Sequence, residues 1–247
     1  MSQSESEALS AAEVQRVGVV VPAKNEAGLI LDCLDALAIA AAAVAVPVAV
    51  AVVLDDCTDA TPDLVAEGAA RLGLDLHTRE IRASSVGTAR QLGMTATLAR
   101  LGVAGTWLAT TDADSVVPAD WLTRQLRYAQ AGANVVAGTV GVKDWSERPA
   151  GVCRLAEGAY RNPDRRHVHG ANLGVRAESY LGVGGFTAVD RDEDVALVAA
   201  LAHAGEPIVW ADDLAVTTSS RRVARASAGF ATYLDRLEAL AGPAVPA

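Results

Sequence analysis

Apolar runs and polar breaks alternate along this chain at a spacing that predicts strands and helices in turn. Val17-Gly18-Val19-Val20-Val21 is a β-branched run that stops at Pro22, the pattern of a strand buried on both faces of a parallel sheet. The polar turn Ala23-Lys24-Asn25-Glu26 leads into a predicted helix over residues 28–42. Residues 48–54 predict a second strand ending at Asp55-Asp56, and Pro62 suits the first position of the next helix. A short third strand over 74–78 is followed by a helix with Ala89, Leu92, Thr95, Ala96 and Ala99 on one face. The apolar run from Trp107 ends at Asp112, Pro118 opens a helix over 119–131, and residues 135–140 predict another strand. Five strands alternating with four helices predict a parallel sheet with helices on both faces.

The second half is less regular. Residues 143–169 read as a partly helical excursion carrying Arg161, Arg165 and Arg166, by default a solvated basic face. A short strand over 170–176, a turn at Gly184-Gly185, a helix over 195–203 opened by Asp192-Glu193-Asp194, and a last strand over 208–211 complete the pattern. The tail carries Arg221, Arg222 and Arg225 before an amphipathic segment.

Residues 36–54 hold no charge, long enough to raise the question of a membrane span. Ala and Leu dominate the first half, Val the second, and Pro47 divides them, so a helix followed by a buried strand is expected. The polar, acidic start shows no secretory signal. Cys33, Cys57 and Cys153 have no C-x-x-C spacing and read as reduced thiols. A cytoplasmic setting is therefore expected, and the sequence permits peripheral membrane contact. The formal charge of −9 argues against a nucleic-acid partner. At 51% hydrophobic residues and 4% aromatic ones, the core must be built from Ala, Val and Leu.

The chemistry concentrates at Asp112-Ala113-Asp114, where an apolar strand runs into two carboxylates one residue apart. In an extended chain such side chains address one point, and hard oxygen ligands there suit Mg²⁺ or Mn²⁺ beside substrate phosphates. The bland reading, a solvated turn capping the next helix, stands beside it. Two further strand-end clusters (Pro22 to Glu26 and Asp55-Asp56) fall on the same sheet edge if the strands are parallel.

In order, Val-Val-Val-Pro-Ala-Lys-Asn-Glu, Val-Leu-Asp-Asp-Cys-Thr-Asp, Gly-Thr-Ala-Arg, Thr-Asp-Ala-Asp, Gly170-Ala171-Asn172, Gly184-Gly185-Phe186 and Glu193-Asp194 resemble the inverting family-2 glycosyltransferases of the GT-A fold. The resemblance implies an α/β, Rossmann-like nucleotide-diphospho-sugar transferase fold with a mostly parallel central sheet. It implies a flexible segment over 1–15, one domain over 16–215 and a tail over 216–247. Within the domain, 16–141 would bind the nucleotide sugar and 142–215 would hold the acceptor and the catalytic base. By that match Pro22, Lys24 and Glu26 would lie along the nucleoside, and Asp55 or Asp56 would accept a hydrogen bond from the base. Arg90 would approach the nucleotide. Asp112, Ala113 and Asp114 would face the ribose and the Mn²⁺ or Mg²⁺ ion, with Asp114 the principal ligand and His169 a further candidate. Glu193-Asp194 would supply the catalytic base. The implied partners are a nucleoside diphosphate sugar and a hydroxyl acceptor, joined with inversion and without processivity. The motif Gln-Arg-x-Arg-Trp of processive synthases is absent, and Cys57-Thr58 replaces the usual Gly-Ser. A retaining relative of the glucosyl-phosphoglycerate synthase type is the second reading, and a haloacid dehalogenase-type phosphatase with Asp112 as nucleophile the third.

Overall fold

The computed structural model describes residues 13–82, 85–142, 144–146, 148–160, 166–189, 192–219 and 230–241. The elements run in the order β1 (Arg16–Ala23), α1 (Ile30–Ala42), β2 (Val48–Asp55), α2 (Thr61–Leu72), β3 (Asp75–Ile81) and α3 (Val86–Leu101). Then follow β4 (Thr106–Thr110), β5 (Ser115–Val116), α4 (Trp121–Gln130), β6 (Val135–Val142) and α5 (Ala150–Tyr160). A 3₁₀ turn (Gly170–Asn172) leads into β7 (Leu173–Arg176), α6 (Ala177–Gly182), α7 (Glu193–His203), β8 (Ile208–Thr218) and α8 (Phe230–Ala241).

The strands form one sheet in the order β3-β2-β1-β4-β7-β6-β8-β5. The first four are mutually parallel. β7 runs antiparallel between β4 and β6, and β8 is again parallel to β6. The carboxyl ends of β1, β2 and β4 consequently share one edge, where open α/β sheets place ligands.

Burial on both faces explains the unbroken apolar strands. Val17, Val19 and Val21 join Val50, Val52 and Leu54 beneath α1, α2 and α4. Val20, Ala51 and Val53 face the opposite way, toward α3, α6 and α7. The uncharged stretch resolves as expected into α1, which stops at Ala42, and β2, which starts at Val48. No helix among the described residues is long and apolar enough to cross a membrane.

Four features depart from the sequence reading. The buried face of α3 is Gly87, Ala89, Arg90, Gly93, Met94, Thr97 and Leu98, so of the expected face Ala89 is buried, whereas Thr95 and Ala99 are exposed. Small residues set that face: a Cβ on Gly93 would lie 2.4 Å from Val20 Cγ1, and one on Gly18 would lie 2.2 Å from Thr97 Cγ2. The expected strand over 170–176 is a 3₁₀ turn followed by the short β7. β8 extends to Thr218, beyond the strand end expected at Ala211, after a register jump that pushes Asp212, Asp213 and Leu214 out of the ladder. Finally, the expected flexible start is anchored at its end, for Val14 is buried and the Gln15 amide donates to Gly105 O at 2.8 Å. Residues 1–12, with Arg161, Arg165, Arg221, Arg222 and Arg225, lie outside the described residues.

Candidate active site

β4 ends at Thr110, and Asp112-Ala113-Asp114 is a turn closed by the Ser115 amide donating to Asp112 O at 3.0 Å. The two carboxylates therefore do not project from one extended segment, as their spacing suggested. Asp112 Oδ1 accepts from Arg90 Nη2 at 2.5 Å. Asp114 Oδ1 accepts from Ser115 Oγ at 3.3 Å and from Thr218 Oγ1 at 3.4 Å. β5 pairs with Thr217 and Thr218, so the far end of β8 braces the turn. Ala113 is buried in the core below, where a larger side chain would lift the turn. Cys33 Sγ contacts Asp112 O at 3.5 Å, and burial together with the charges of Asp114 and Asp112 pushes its thiol up, away from thiolate chemistry.

Arg90 is only 3% exposed, which excludes a solvated helix residue. Its Nε donates to Thr110 Oγ1 at 3.3 Å, and its Nη1 pairs with Glu193 Oε1 across 103 residues of chain. Burial alone would lower the Arg90 pKa, but Asp112, Glu193 and Asp194 raise it, so the guanidinium stays charged. Burial likewise raises Glu193, against the pull of Arg90. Glu193 is committed to this pair. Asp194, next in the first turn of α7, accepts from the Gly170 amide at 2.6 Å through Oδ2 and from the Val195 amide at 2.8 Å through Oδ1.

Gly170 shares its 3₁₀ turn with Asn172. Asn172 Oδ1 accepts from Trp121 Nε1 at 2.9 Å, and its Nδ2 donates to Thr139 O and Leu214 O, each at 2.8 Å. His169 stacks on His167 with ring centroids 6.1 Å apart. Burial, then the neighbouring His167, takes its pKa down to about 4, so it is neutral at pH 7.

At the ends of β1 and β2, Asp59 clasps the two loops together. Its carboxylate accepts from the Ala27 amide at 3.1 Å and from the Thr61 amide and hydroxyl at 3.0 and 2.5 Å. Thr61 Oγ1 in turn accepts from the Glu26 amide at 2.7 Å. Asn25, at φ 54°, receives the Thr58 amide at 2.7 Å. Pro22, the half-buried Lys24 and the buried Glu26 thus border the Asp55-Asp56 turn. Asp55 is buried, whereas Asp56, at φ 51°, is exposed and lies 3.7 Å from Arg82 Nε. Asp56, Cys57 and Pro62 line one side of a cleft of about 420 Å³, with Glu80, Ile81 and Arg82 on the other.

The sequence reading did not single out Asn172 or Thr61, nor the Arg90–Glu193 pair. Asn172 and Arg90 stood inside quoted motifs, but burial and partner choice depend on the tertiary fold. No signal marks Thr61.

Among the described residues, no three or more His, Cys, Asp or Glu gather closely enough to hold an ion alone. His169 is therefore not drawn into a metal cluster with Asp112 and Asp114. Two carboxylates on one short turn nevertheless fit Mg²⁺ or Mn²⁺, which take one or two protein carboxylates plus phosphate oxygens and water.

The mixed, mostly parallel sheet with helices on both faces and an acidic turn after its fourth strand defines the GT-A fold. The model of the family described as Glycosyl transferase family 2 matches residues 18–182, and the chain belongs to that family. Among solved structures, S. aureus TarS 1–349 in complex with UDP-GlcNAc is 16% identical, with a TM-score of 0.65 over 92% of this chain and 66% of that one. The mannosyltransferase PcManGT from Pyrobaculum calidifontis in complex with GDP-Man and Mn²⁺ is 23% identical, with a TM-score of 0.66 over 86% of this chain and 59% of that one. GalNAc-T7 with UDP, GalNAc and Mn²⁺ is 13% identical, with a TM-score of 0.60 over 84% and 44%. The chain thus spans less than two thirds of those chains, and at these identities the likeness is one of fold. No curated protein sequence matches it.

Proposed function

We propose that this protein transfers a sugar from a nucleoside diphosphate sugar to a hydroxyl acceptor, with inversion and one transfer per encounter. The observation that carries this reading is the meeting of the β4 turn and the start of α7 on one buried cation, Arg90, which brings Asp112 beside Glu193-Asp194. On this reading Asp112 would serve the donor and Asp194 the acceptor, with Arg90 between the two elements that carry them. Family membership and the Mn²⁺ and nucleotide sugars named for the structural neighbours support the donor class.

Pro22, Lys24, Glu26 and Asp56 would border the nucleoside, Asp56 accepting an N–H of the base while buried Asp55 supports the turn. Asp112, through its oxygen remote from Arg90, and Asp114 would hold the cation. Bound Mg²⁺ or Mn²⁺ would supply Lewis-acid neutralisation of the departing diphosphate. Asp194 would take the proton of the acceptor hydroxyl. The acceptor oxygen forms the new bond to the anomeric carbon from the face opposite the diphosphate. That group leaves with the electron pair of the broken C–O bond, so configuration inverts.

The test is a donor-hydrolysis screen over UDP- and GDP-sugars with Mn²⁺, with the anomer of the released sugar read by NMR. An inverted product supports the reading. Retention of configuration shifts the assignment to the retaining type, and the absence of donor binding with metal present refutes the function.

A further inference from the structure

We infer that Arg90 is a positioning residue: it holds the donor-side turn and the base-bearing helix at one separation, and it does not contact the nucleotide. The inference rests on the function proposed above.

Each arm of the guanidinium meets a different element. Nε meets Thr110 at the end of β4, Nη2 meets Asp112 on the following turn, and Nη1 meets Glu193 on α7. One flank packs against Gly170, where a Cβ would lie 2.4 Å from the Arg90 Cζ, and Phe186 is centred 6.0 Å away. The Gly170 amide is the group that holds Asp194 Oδ2. Arg90 therefore reaches Asp194 by two routes, through its chain neighbour Glu193 and through the seat of Gly170.

Charge makes the tie necessary. Asp112, Glu193 and Asp194 all act on Arg90, and such a cluster of acids is held together only by a cation among them. To reach a diphosphate, Arg90 would have to abandon Glu193, which is itself 4% exposed and would remain buried without its cation. A lysine keeps the charge but lacks the planar fork that serves two carboxylates and a hydroxyl at once.

The experiment uses the full chain as wild type, as Arg90→Lys, and as Arg90→Met/Glu193→Gln, which removes both buried charges together so that the fold is retained. Amide hydrogen exchange is followed residue by residue, and titration and hydrolysis use GDP-mannose and UDP-N-acetylglucosamine with Mn²⁺. In the double variant, exchange should quicken about 10-fold or more at Gly170 and Ser115 while β1 and β2 stay unchanged. Hydrolysis should fall about 100-fold, with donor affinity within about 3-fold of wild type. Arg90→Lys should not restore the rate. Unchanged protection at Gly170 and Ser115, or retained hydrolysis, overturns the inference. Affinity lost as steeply as rate also overturns it, because it would put Arg90 on the nucleotide. If wild type binds no donor of the UDP- and GDP-sugar screen, the proposed function fails on that result alone, and the exchange measurement still decides the tie.

Discussion

Replacing Gly93 by alanine tests the contact on which the site stands. The added Cβ would lie 2.4 Å from Val20 Cγ1 and 2.9 Å from Val53 Cγ2, whereas carbon atoms settle at about 3.5–4.0 Å. Both valines are fully buried, and β-branched side chains have few rotamers to escape into. Relief therefore requires α3 to lift by roughly 1 Å. Overpacking of this kind costs about 1–3 kcal/mol, and the better helix propensity of alanine returns about 0.8–1 kcal/mol. The net loss is about 0–2 kcal/mol, or up to about 8 °C in Tm for a chain of this size. Urea denaturation and calorimetry measure it, with Gly158→Ala as the control, since nothing lies within 4 Å of a Cβ there. That control should gain about 0.5–1 kcal/mol. Val20→Ala removes the methyl that would collide, so the double variant with Gly93→Ala should be about 1 kcal/mol more stable than the sum of the single losses predicts. If Gly93→Ala proves as stable as Gly158→Ala, or strictly additive with Val20→Ala, the close approach of α3 is refuted.

Three further outcomes are expected. Asp194→Asn should lower donor hydrolysis by about 10²–10⁴ while titration shows donor affinity preserved; a rate near wild type would remove Asp194 as the base. Asp114→Ala should abolish the Mn²⁺-dependent part of nucleotide-sugar affinity, and an unchanged titration with and without metal would take the cation away from this turn. The third concerns acid stability. His169 sits at about 4 in the fold against an ordinary 6.5, so the unfolded chain takes up the proton first as pH falls. Its contribution is constant above about 6.5, declines toward about 4 and levels below. Urea titrations from pH 7.5 to 4 should show that slope reduced in His169→Asn; an identical slope would mean that His169 is not buried as described.

Strands β1, β2 and β4 were legible because they are buried on both faces: nothing but apolar residues fits β1 and β2, and Pro22 and Asp55-Asp56 end them. The buried face of α3 was not, because hydrophobicity counts side chains and this face works by lacking them. Gly93 and Thr97 against Val20 and Gly18 read as indifferent in any apolar pattern. The bulge in β8 was hidden for a related reason. Asp212 and Asp213 look like the end of a strand, and only the renewed pairing of Ala215 with Thr139 shows that the strand resumes.

The acids divide the same way. Their positions could be read from the chain, since Asp112, Asp114, Glu193 and Asp194 each follow or open an element whose pattern is clear. Their partners could not, because partner choice is settled by contacts between residues 22 to 104 positions apart. The D-x-D spacing suggested two equal ligands on an extended strand, yet the turn gives them unequal surroundings. Asp112 shares a buried guanidinium with Glu193, while Asp114 leans on the hydroxyls of Ser115 and Thr218. A carboxylate held by a fixed cation resists displacement, because letting go would leave the buried guanidinium short of a counter-charge. On the proposed function, Asp112 would therefore be the acid that fixes where an incoming cation sits, with Asp114 beside it on the same turn.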